Sequence, residues 1–164
     1  MPSECALCGD EANLVDSHII PRFVFKQLKK SGAAPFLRGY ENPDERIQDY
    51  NEKLLCLDCE EHLNKFESPV AGRIYHPYQR GDSTSFSYDD WLYKFLLSVN
   101  WRLIRSDSSE LNNLSKHHKE AVEDARDIWQ DIILSDEPVH KDPFTHHMIL
   151  FSDLGLRTDS GELP

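Results

Sequence analysis

The chain has 164 residues, of which 39% are hydrophobic, and a formal net charge of −11 at pH 7. This length suits one domain with an elaboration, or two small domains. The sequence contains neither an 18-residue apolar run nor a charged-then-apolar N-terminus, so we expect no membrane span and no secretory signal, and we predict a cytoplasmic protein. The negative charge argues against non-specific coating of nucleic acid, because such binding neutralises phosphates with lysine and arginine.

The acidity belongs mainly to the second half of the chain. Residues 1–80 hold 10 Lys and Arg against 13 Asp and Glu, a net charge of −3, whereas residues 81–164 hold 8 against 16, a net charge of −8. The nearly balanced first half can therefore still carry a local basic patch. The acidic second half can dock a basic protein partner, which would then supply contacts to nucleic acid.

The first predicted element is a knuckle over residues 5–9, built on Cys5 and Cys8. Gly9 supplies the positive φ that a tight knuckle usually needs. A short strand is predicted over residues 12–15.

A helix is predicted from Pro21, which suits a first helical turn, to about Lys30, where a Ser-Gly pair ends it. Its apolar side consists of Ile20, Phe23, Val24 and Leu28, with Phe25 at the edge. Four cations lie within about 100° of each other on the wheel, namely Arg22, Lys26, Lys29 and Lys30. This basic stripe is either a solvated face or a surface that binds phosphate.

Residues 32–50 contain two glycines and two prolines, so we predict a loop there. The second cysteine pair opens a predicted helix that runs to about Glu67, where a Ser-Pro pair ends it. Residues 70–75 are ambiguous between helix and strand. The polar stretch 77–85 is the candidate domain boundary.

Two helices are predicted in the second half. Ser87 and Asp90 resemble a capping box, and the helix they open carries an apolar stripe of Trp91, Leu92, Phe95, Leu96, Val99 and Leu103. The next helix is predicted to start near residues 109–110, with a stripe of Leu111, Leu114, Ala121, Val122, Ala125, Ile128, Trp129 and Ile132. Both stripes are interpreted as core, and residues 148–151 as a short strand.

These elements predict an α+β fold that is mostly helical. We expect a zinc-binding domain over residues 1–80, a helical region over 86–152 and a flexible tail over 153–164.

All four cysteines belong to two C-x-x-C pairs, Cys5 with Cys8 and Cys56 with Cys59. Four thiolates at this spacing can close a tetrahedral Zn²⁺ site with Zn–S bonds of about 2.3 Å. The alternative is a pair of disulfides, but bridges within C-x-x-C pairs close very short loops and restrain the unfolded chain little. We therefore predict a structural zinc ion in a reducing compartment.

The sequence between the cysteine pairs contains Ser17-His18-Ile19-Ile20-Pro21. A C-x-x-C, a short strand, this histidine, a loop and a second C-x-x-C that opens a helix together resemble the HNH (His-Me finger) endonuclease family. The resemblance covers residues 5–67. It implies a ββα-metal element held in a treble-clef zinc scaffold, and hydrolysis of phosphodiester bonds in nucleic acid.

The resemblance also implies roles for individual residues. His18 maps onto the general base, and an imidazole can accept a proton from water near pH 7. Asn51 maps onto the asparagine that orients the loop holding the base. Glu60 stands at the position where the family supplies a ligand of a catalytic Mg²⁺ or other divalent cation, and Asn64, one turn further along the helix, is a further candidate. The basic stripe, which directly follows His18, is expected to contact phosphates.

Two positions depart from the family pattern. Ser17 stands where the family has Asp or His, and a hydroxyl is a poor Mg²⁺ ligand, while Asp16 would point the other way on a strand. Glu60 stands where the family has Asn or His, and a glutamate is a good ligand for a hard cation. Glu60 also shares a helix face with Asn64 and Glu67.

Six other histidines are interpreted as surface residues. His62 lies off the helix face of Glu60 and Asn64, and five lack a paired carboxylate or thiol at ligand spacing, namely His76, His117, His118, His146 and His147. The chain contains no glycine-rich phosphate loop and no serine elbow, so we expect no nucleotide cofactor. The alternative to a nuclease is a non-catalytic zinc module that binds a protein partner. Ser17, Glu60 and the net charge favour that alternative.

Overall fold

The computed structural model describes residues 2–31, 37–38, 46–47, 50–106, 113–138 and 143–150, and the structural statements below concern that part of the chain. The strands are β1 (Ser3–Glu4), β2 (Glu11–Ala12), β3 (Val15–His18), β4 (Leu37–Arg38), β5 (Arg46–Ile47) and β6 (Asn51–Leu55). The helices are α1 (Arg22–Ser31), α2 (Leu57–Pro69), a π-helical segment (Val70–Tyr75), α3 (His76–Gln79), α4 (Asp90–Arg105) and α5 (Lys116–Leu134). The fold is therefore α+β and mostly helical, as predicted.

The strands form antiparallel pairs, β1 with β2, β3 with β6, and β4 with β5. The single strand predicted over residues 12–15 is wrong, because Ala12 pairs with Ser3 whereas Val15 pairs with Leu55. The chain leaves one partner strand and joins another between these two residues. The predicted loop over residues 32–50 contains the short pair β4 and β5, and its glycines and prolines lie outside the described residues.

Helix α1 agrees with the prediction to within one residue, and α2 ends within two residues of the predicted end near Glu67, but the Ser-Pro pair does not end the helical structure. Helical structure continues through Pro69 into the π-helical segment and α3. Proline lacks the N–H of a regular helical turn, and wider turns of the π type accommodate such a break. Val70 and Ile74 are each 2% exposed, so their burial holds the segment helical.

In the second half, both predicted helix starts are wrong. Helix α4 is capped by the side chain of Asp89, which accepts a hydrogen bond from the Asp90 N–H, and not by Ser87. Helix α5 begins at Lys116 after the N-cap Ser115, so the predicted start at residues 109–110 came too early. Residues 148–150 of the predicted strand 148–151 are irregular.

Only part of the apolar stripe predicted for α4 is buried in the structure. Phe95 is buried, but Leu103 is 39% exposed, and the most buried positions are Leu97, Ser98, Trp101 and Arg102. The reason is that α4 packs against both α2 and α5, so it buries two sides rather than one stripe.

A single cluster of buried side chains joins the two halves of the chain. It runs from Cys5, Leu7 and Leu55 to Trp101 on α4 and Ile133 on α5, all of which are fully buried. The division into two domains at residues 77–85 stays a prediction, because it concerns whether each part of the chain folds independently. In the described ranges, no helix is long and apolar enough to cross a membrane.

Candidate zinc site and histidine site

The four cysteines lie together, as the spacing predicts. Their sulfur atoms are all within 4.8 Å of one another, and this is the one cluster of at least three His, Cys, Asp or Glu side chains in the described chain that could hold a metal ion. The Sγ atoms of Cys8 and Cys56 are 3.9 Å apart. In a tetrahedral ZnS₄ site with bonds of about 2.3 Å, the sulfurs are about 3.8 Å apart. The cluster therefore fits a metal ion of this size.

Backbone hydrogen bonds shape the knuckle around these sulfurs. The Gly9 N–H donates to the Cys5 carbonyl at 2.9 Å, and Gly9 has φ of +80°, as predicted for this turn. The Cys56 N–H points at the Cys5 sulfur at 3.3 Å. The Ala6 N–H donates to the carbonyl of Leu54 at 3.0 Å, which fixes the knuckle to β6.

The thiols have different proton affinities. Burial raises the pKa of the Cys59 thiol, and hydrogen bonds with the other cysteines raise it further. Hydrogen bonding from the Asp10 backbone acts to lower the pKa of Cys8, but burial and the bond with Cys5 outweigh it and raise the pKa to about 11. Burial acts to raise the pKa of Cys5, but backbone hydrogen bonds from Cys8, Cys56 and Leu7 outweigh it and lower the pKa to about 7. Four thiolates in this space need a cation to balance their charge.

A ββα unit adjoins the cysteine cluster. β3 and β6 pair in antiparallel register with His18 opposite Asn51, and α2 follows β6 after Cys56. The Ile19 N–H donates to the Tyr50 carbonyl at 3.0 Å, so the pairing extends one residue beyond His18. His18 is half-buried at the end of β3. The structure thus brings His18 and Asn51 together, although they are distant in sequence.

Ser17 is a structural residue in this unit. It is fully buried, and its Oγ accepts a hydrogen bond from the Leu55 N–H at 3.1 Å. Asp16 is on the opposite side of the strand, where its carboxylate pairs with Lys53 at 3.0 Å and both side chains are more than 60% exposed. The residue before His18 is therefore turned into the core and offers no carboxylate.

The three polar residues that share a face of α2 have different surroundings. Glu60 is half-buried, and its Oε1 atom is buried without a hydrogen-bond partner in the described structure. Asn64 is exposed and accepts a hydrogen bond from the Ser68 hydroxyl at 2.9 Å. Glu67 pairs with the guanidinium of Arg102 at 2.6 Å. Cation binding by Glu60 and Asn64 stays a prediction, whereas Glu67 is committed to an ion pair.

Arg102 is the residue of this region that the sequence interpretation missed. It lies on α4, is 1% exposed, and one of its terminal nitrogens donates to the His18 carbonyl at 2.6 Å. Its Nε donates to the Ser98 carbonyl at 3.2 Å. The available signal was its spacing, because Arg102 follows the buried Phe95 by two helical turns and so falls on an inward face.

The basic stripe of α1 stands mostly in solvent. Arg22, Lys26 and Lys30 are exposed and Lys29 is half-buried, while Phe25 is the most deeply buried of the α1 side chains that the structure describes. The prediction, which placed Phe25 at the edge of the apolar side, therefore put the buried face of α1 at the wrong angle around the helix. Phosphate binding by the stripe stays a prediction.

Two histidines that were predicted to lie on the surface take part in packing. His62 is half-buried, its Nε2 lies 2.7 Å from the Ile133 carbonyl, and its ring meets Phe66 edge-on at 5.2 Å. His146 contacts the rings of Tyr93 and Trp129 at 5.4 and 5.2 Å. Both corrections have the same cause, since α5 and residues 143–150 fold back onto the helices before them. The other four are exposed, as predicted, namely His76, His117, His118 and His147.

Comparison with protein-family models, with curated proteins and with solved structures finds no match for this chain. Function is therefore argued from the residues and their geometry.

Proposed function

We propose that the protein is a metal-dependent endonuclease of the HNH type, which hydrolyses phosphodiester bonds of nucleic acid. The observation that carries the proposal is the β3–β6–α2 unit, in which His18 stands opposite Asn51 and the four-cysteine cluster lies where β6 ends and α2 begins. This is the order of elements that the resemblance implies. The histidine and the metal scaffold belong to one folded unit with a continuous core.

His18 acts as the general base. Hydrolysis of a phosphodiester requires a water molecule to lose a proton near neutral pH, and an imidazole is suited to accept it. His18 is half-buried at the end of a short strand, so its main chain is ordered while its side chain keeps access to solvent. In this proposal Asn51, which pairs with His18 across the two strands, restrains this strand end.

The four cysteines hold Zn²⁺, which maintains the fold of the knuckle and takes no part in the chemistry. A closed set of four sulfur ligands is typical of structural zinc, whereas catalytic zinc keeps an open position. Glu60 and Asn64 are the candidate ligands of a separate Mg²⁺ or related cation, and such an ion polarises the scissile phosphate and stabilises the leaving oxygen.

Arg22, Lys26, Lys29 and Lys30 contact the phosphate backbone. The stripe begins just beyond His18 in sequence, and three of its four cations are exposed. The acidic second half of the chain repels nucleic acid, so we expect the phosphate contacts to come from this one helix. Because such contacts neutralise phosphate charge, the affinity for nucleic acid should depend strongly on salt.

The experiment is a cleavage assay with zinc-loaded protein and end-labelled single- and double-stranded DNA and RNA. Mg²⁺ or Mn²⁺ should support cleavage, and EDTA added briefly, at a concentration that leaves the zinc content unchanged, should stop it. Absence of cleavage of all four substrates with either metal would contradict the proposal.

The second candidate function is a non-catalytic zinc module that binds a protein partner, with the acidic helical region as the docking surface. Ser17 favours it, because burial of this side chain removes a ligand that the nuclease family usually supplies. The two candidates differ in their response to divalent cations once zinc is saturated. A cation that binds the native state raises the unfolding temperature, so the absence of a shift up to millimolar Mg²⁺ and Mn²⁺ would favour the binding module.

A further inference from the structure

The buried guanidinium of Arg102 contacts both elements that the proposed site needs. One terminal nitrogen donates to the His18 carbonyl at 2.6 Å, and the other donates to a carboxylate oxygen of Glu67 at 2.6 Å. The arginine comes from α4, which lies outside the part of the chain that resembles a nuclease. A charge that is only 1% exposed is costly to bury unless its hydrogen bonds are satisfied, so these contacts fix its position.

The first of these contacts restrains the main chain that carries the imidazole. His18 is the last residue of β3, and beyond Ile19 the chain turns away toward α1. On one side of His18, the Ser17 hydroxyl is fixed to the Leu55 N–H. On the other side, Arg102 holds the His18 carbonyl. The chain is thus tied to β6 through the Ser17 side chain just before His18, and to α4 through the carbonyl of His18 itself.

The second contact ties the same guanidinium to α2. Glu67 lies on the helix face that also carries Glu60 and Asn64, the candidate cation ligands. Its carboxylate is charged, and its pairing with the fork of an arginine is directional as well as strong. Arg102 therefore links the strand of the proposed base to the helix of the proposed cation ligands.

We propose that Arg102 is a positioning residue for His18, and that α4 is in this way part of the active unit. The inference rests on the proposed function where it concerns activity. A guanidinium with two terminal nitrogens can bridge a carbonyl and a carboxylate at once, whereas a lysine offers one point charge on a shorter reach. Arg102→Lys should therefore keep the buried charge and lose the bridge.

A purely structural role predicts a different result, since an arginine that only fastens α4 to the core affects stability alone. Lys94 provides the matched control, because it is a second buried cation on α4, 7% exposed, and its Nζ donates to the Ser135 carbonyl rather than to β3. Lys94→Met removes a buried cation from the same helix without touching His18.

The test compares Arg102→Lys, Arg102→Met, Lys94→Met and the parent protein below the unfolding temperature of all four, with zinc content checked. Single-turnover cleavage gives the rate at saturating nucleic acid and the concentration at half-saturation. A displacement of about 1 Å at a reacting group can cost about 100-fold in rate, so we expect a loss of this size in Arg102→Lys, with half-saturation nearly unchanged. Lys94→Met should stay within about 3-fold of the parent, as it leaves this geometry intact.

A second measurement does not depend on activity. The His18 imidazole signals in protein with isotope-labelled histidine, identified by their loss in His18→Ala, should shift in both Arg102 variants and stay in place in Lys94→Met. Parent-like cleavage by Arg102→Lys, or unshifted His18 signals in the Arg102 variants, would overturn the inference. If the parent protein cleaves nothing, the proposed function fails, and the imidazole signals alone decide whether Arg102 positions His18.

Discussion

The substitution Cys59→Ser would leave the proposed zinc ion with three sulfur ligands instead of four. We predict that the knuckle then unfolds. The knuckle of residues 5–9 is ordered together with the strands that flank it, so the segment concerned spans residues 3–12, from the start of β1 to the end of β2. Ordering these residues, roughly ten in number, costs about 1–2 kcal/mol each, or about 10–20 kcal/mol in all. The energetic question is which interactions offset this cost.

The interactions seen between the knuckle and the rest of the chain are too weak to do so alone. Leu7 is fully buried, which contributes about 3 kcal/mol. Hydrogen bonds to the knuckle from Cys56 and Gln130 and from the knuckle to Leu54 add about 1 kcal/mol each. The total of about 6 kcal/mol leaves a deficit of about 4–14 kcal/mol, whereas a structural Zn²⁺ supplies about 10–16 kcal/mol. Ordering of the knuckle should therefore depend on the metal.

The assay combines the zinc-to-protein ratio with hydrogen exchange of the amides in residues 3–12. The parent protein should hold one zinc ion and protect these amides, and Cys59→Ser should lose both properties. Asp58→Ser is the matched control, because it changes an exposed residue between the same two cysteines and leaves all four sulfurs in place. Full amide protection in Cys59→Ser without bound zinc would refute the reasoning.

Three further substitutions test the packing around the site by urea denaturation. Arg102→Met should lower the free energy of unfolding by about 3 kcal/mol because it leaves the Glu67 carboxylate without its buried partner, whereas Lys53→Met, which breaks an exposed pair, should cost less than about 1 kcal/mol. Ser17→Asp should destabilise by about 3 kcal/mol or more, since the carboxylate would be buried where a hydroxyl now accepts one N–H. Gly9→Ala should cost about 1–2 kcal/mol because its φ is +80°.

A different result would contradict each of these three predictions. Equal losses in Arg102→Met and Lys53→Met would mean that burial of the ion pair does not set its strength. A stable Ser17→Asp variant that also binds Mg²⁺ more tightly would show that this position faces the cation and not the core. Unchanged stability of Gly9→Ala would show that the turn does not need a positive φ.

The parts of the fold that the sequence predicted correctly depend on short-range patterns. The spacing of the two C-x-x-C pairs alone predicts the ligands of the candidate metal site. Gly9, directly after Cys8, marks the turn that the first pair forms. Helix α1 was placed to within one residue because Pro21 and a Ser-Gly pair flank an amphipathic stretch. In each case the chemistry that decides the structure lies within a few residues.

The parts that were missed depend on contacts between distant segments. The burial of Ser17 arises from the β3–β6 register, which no local pattern specifies, and the same register sets Asn51, which only the family resemblance associated with His18, directly opposite it. Helical structure continues past Pro69 because the core buries Val70 and Ile74, and this tertiary contact outweighs a local stop signal.

The residues of the candidate site also divide into those that a local pattern predicts and those that depend on contacts between distant segments. The four cysteines of the candidate metal site follow from their spacing in the sequence, whereas the environment of His18 includes an arginine from the acidic half of the chain. Arg102 would ordinarily be expected on the surface. Its spacing from Phe95 indicates an inward face, but its contacts with His18 and Glu67 depend on how α4 packs against distant segments. The sequence therefore predicted the scaffold better than it predicted the support of the proposed base.

The most direct test of the central claim is the single-turnover rate of nucleic acid cleavage by His18→Ala at saturating Mg²⁺ or Mn²⁺. Loss of a general base lowers such rates by about 10²–10⁴-fold, and we predict a loss in this range with one zinc ion still bound and the unfolding temperature unchanged. His117→Ala, which removes an exposed histidine from α5, should cleave at the parent rate. Cleavage by His18→Ala at the parent rate would contradict the account.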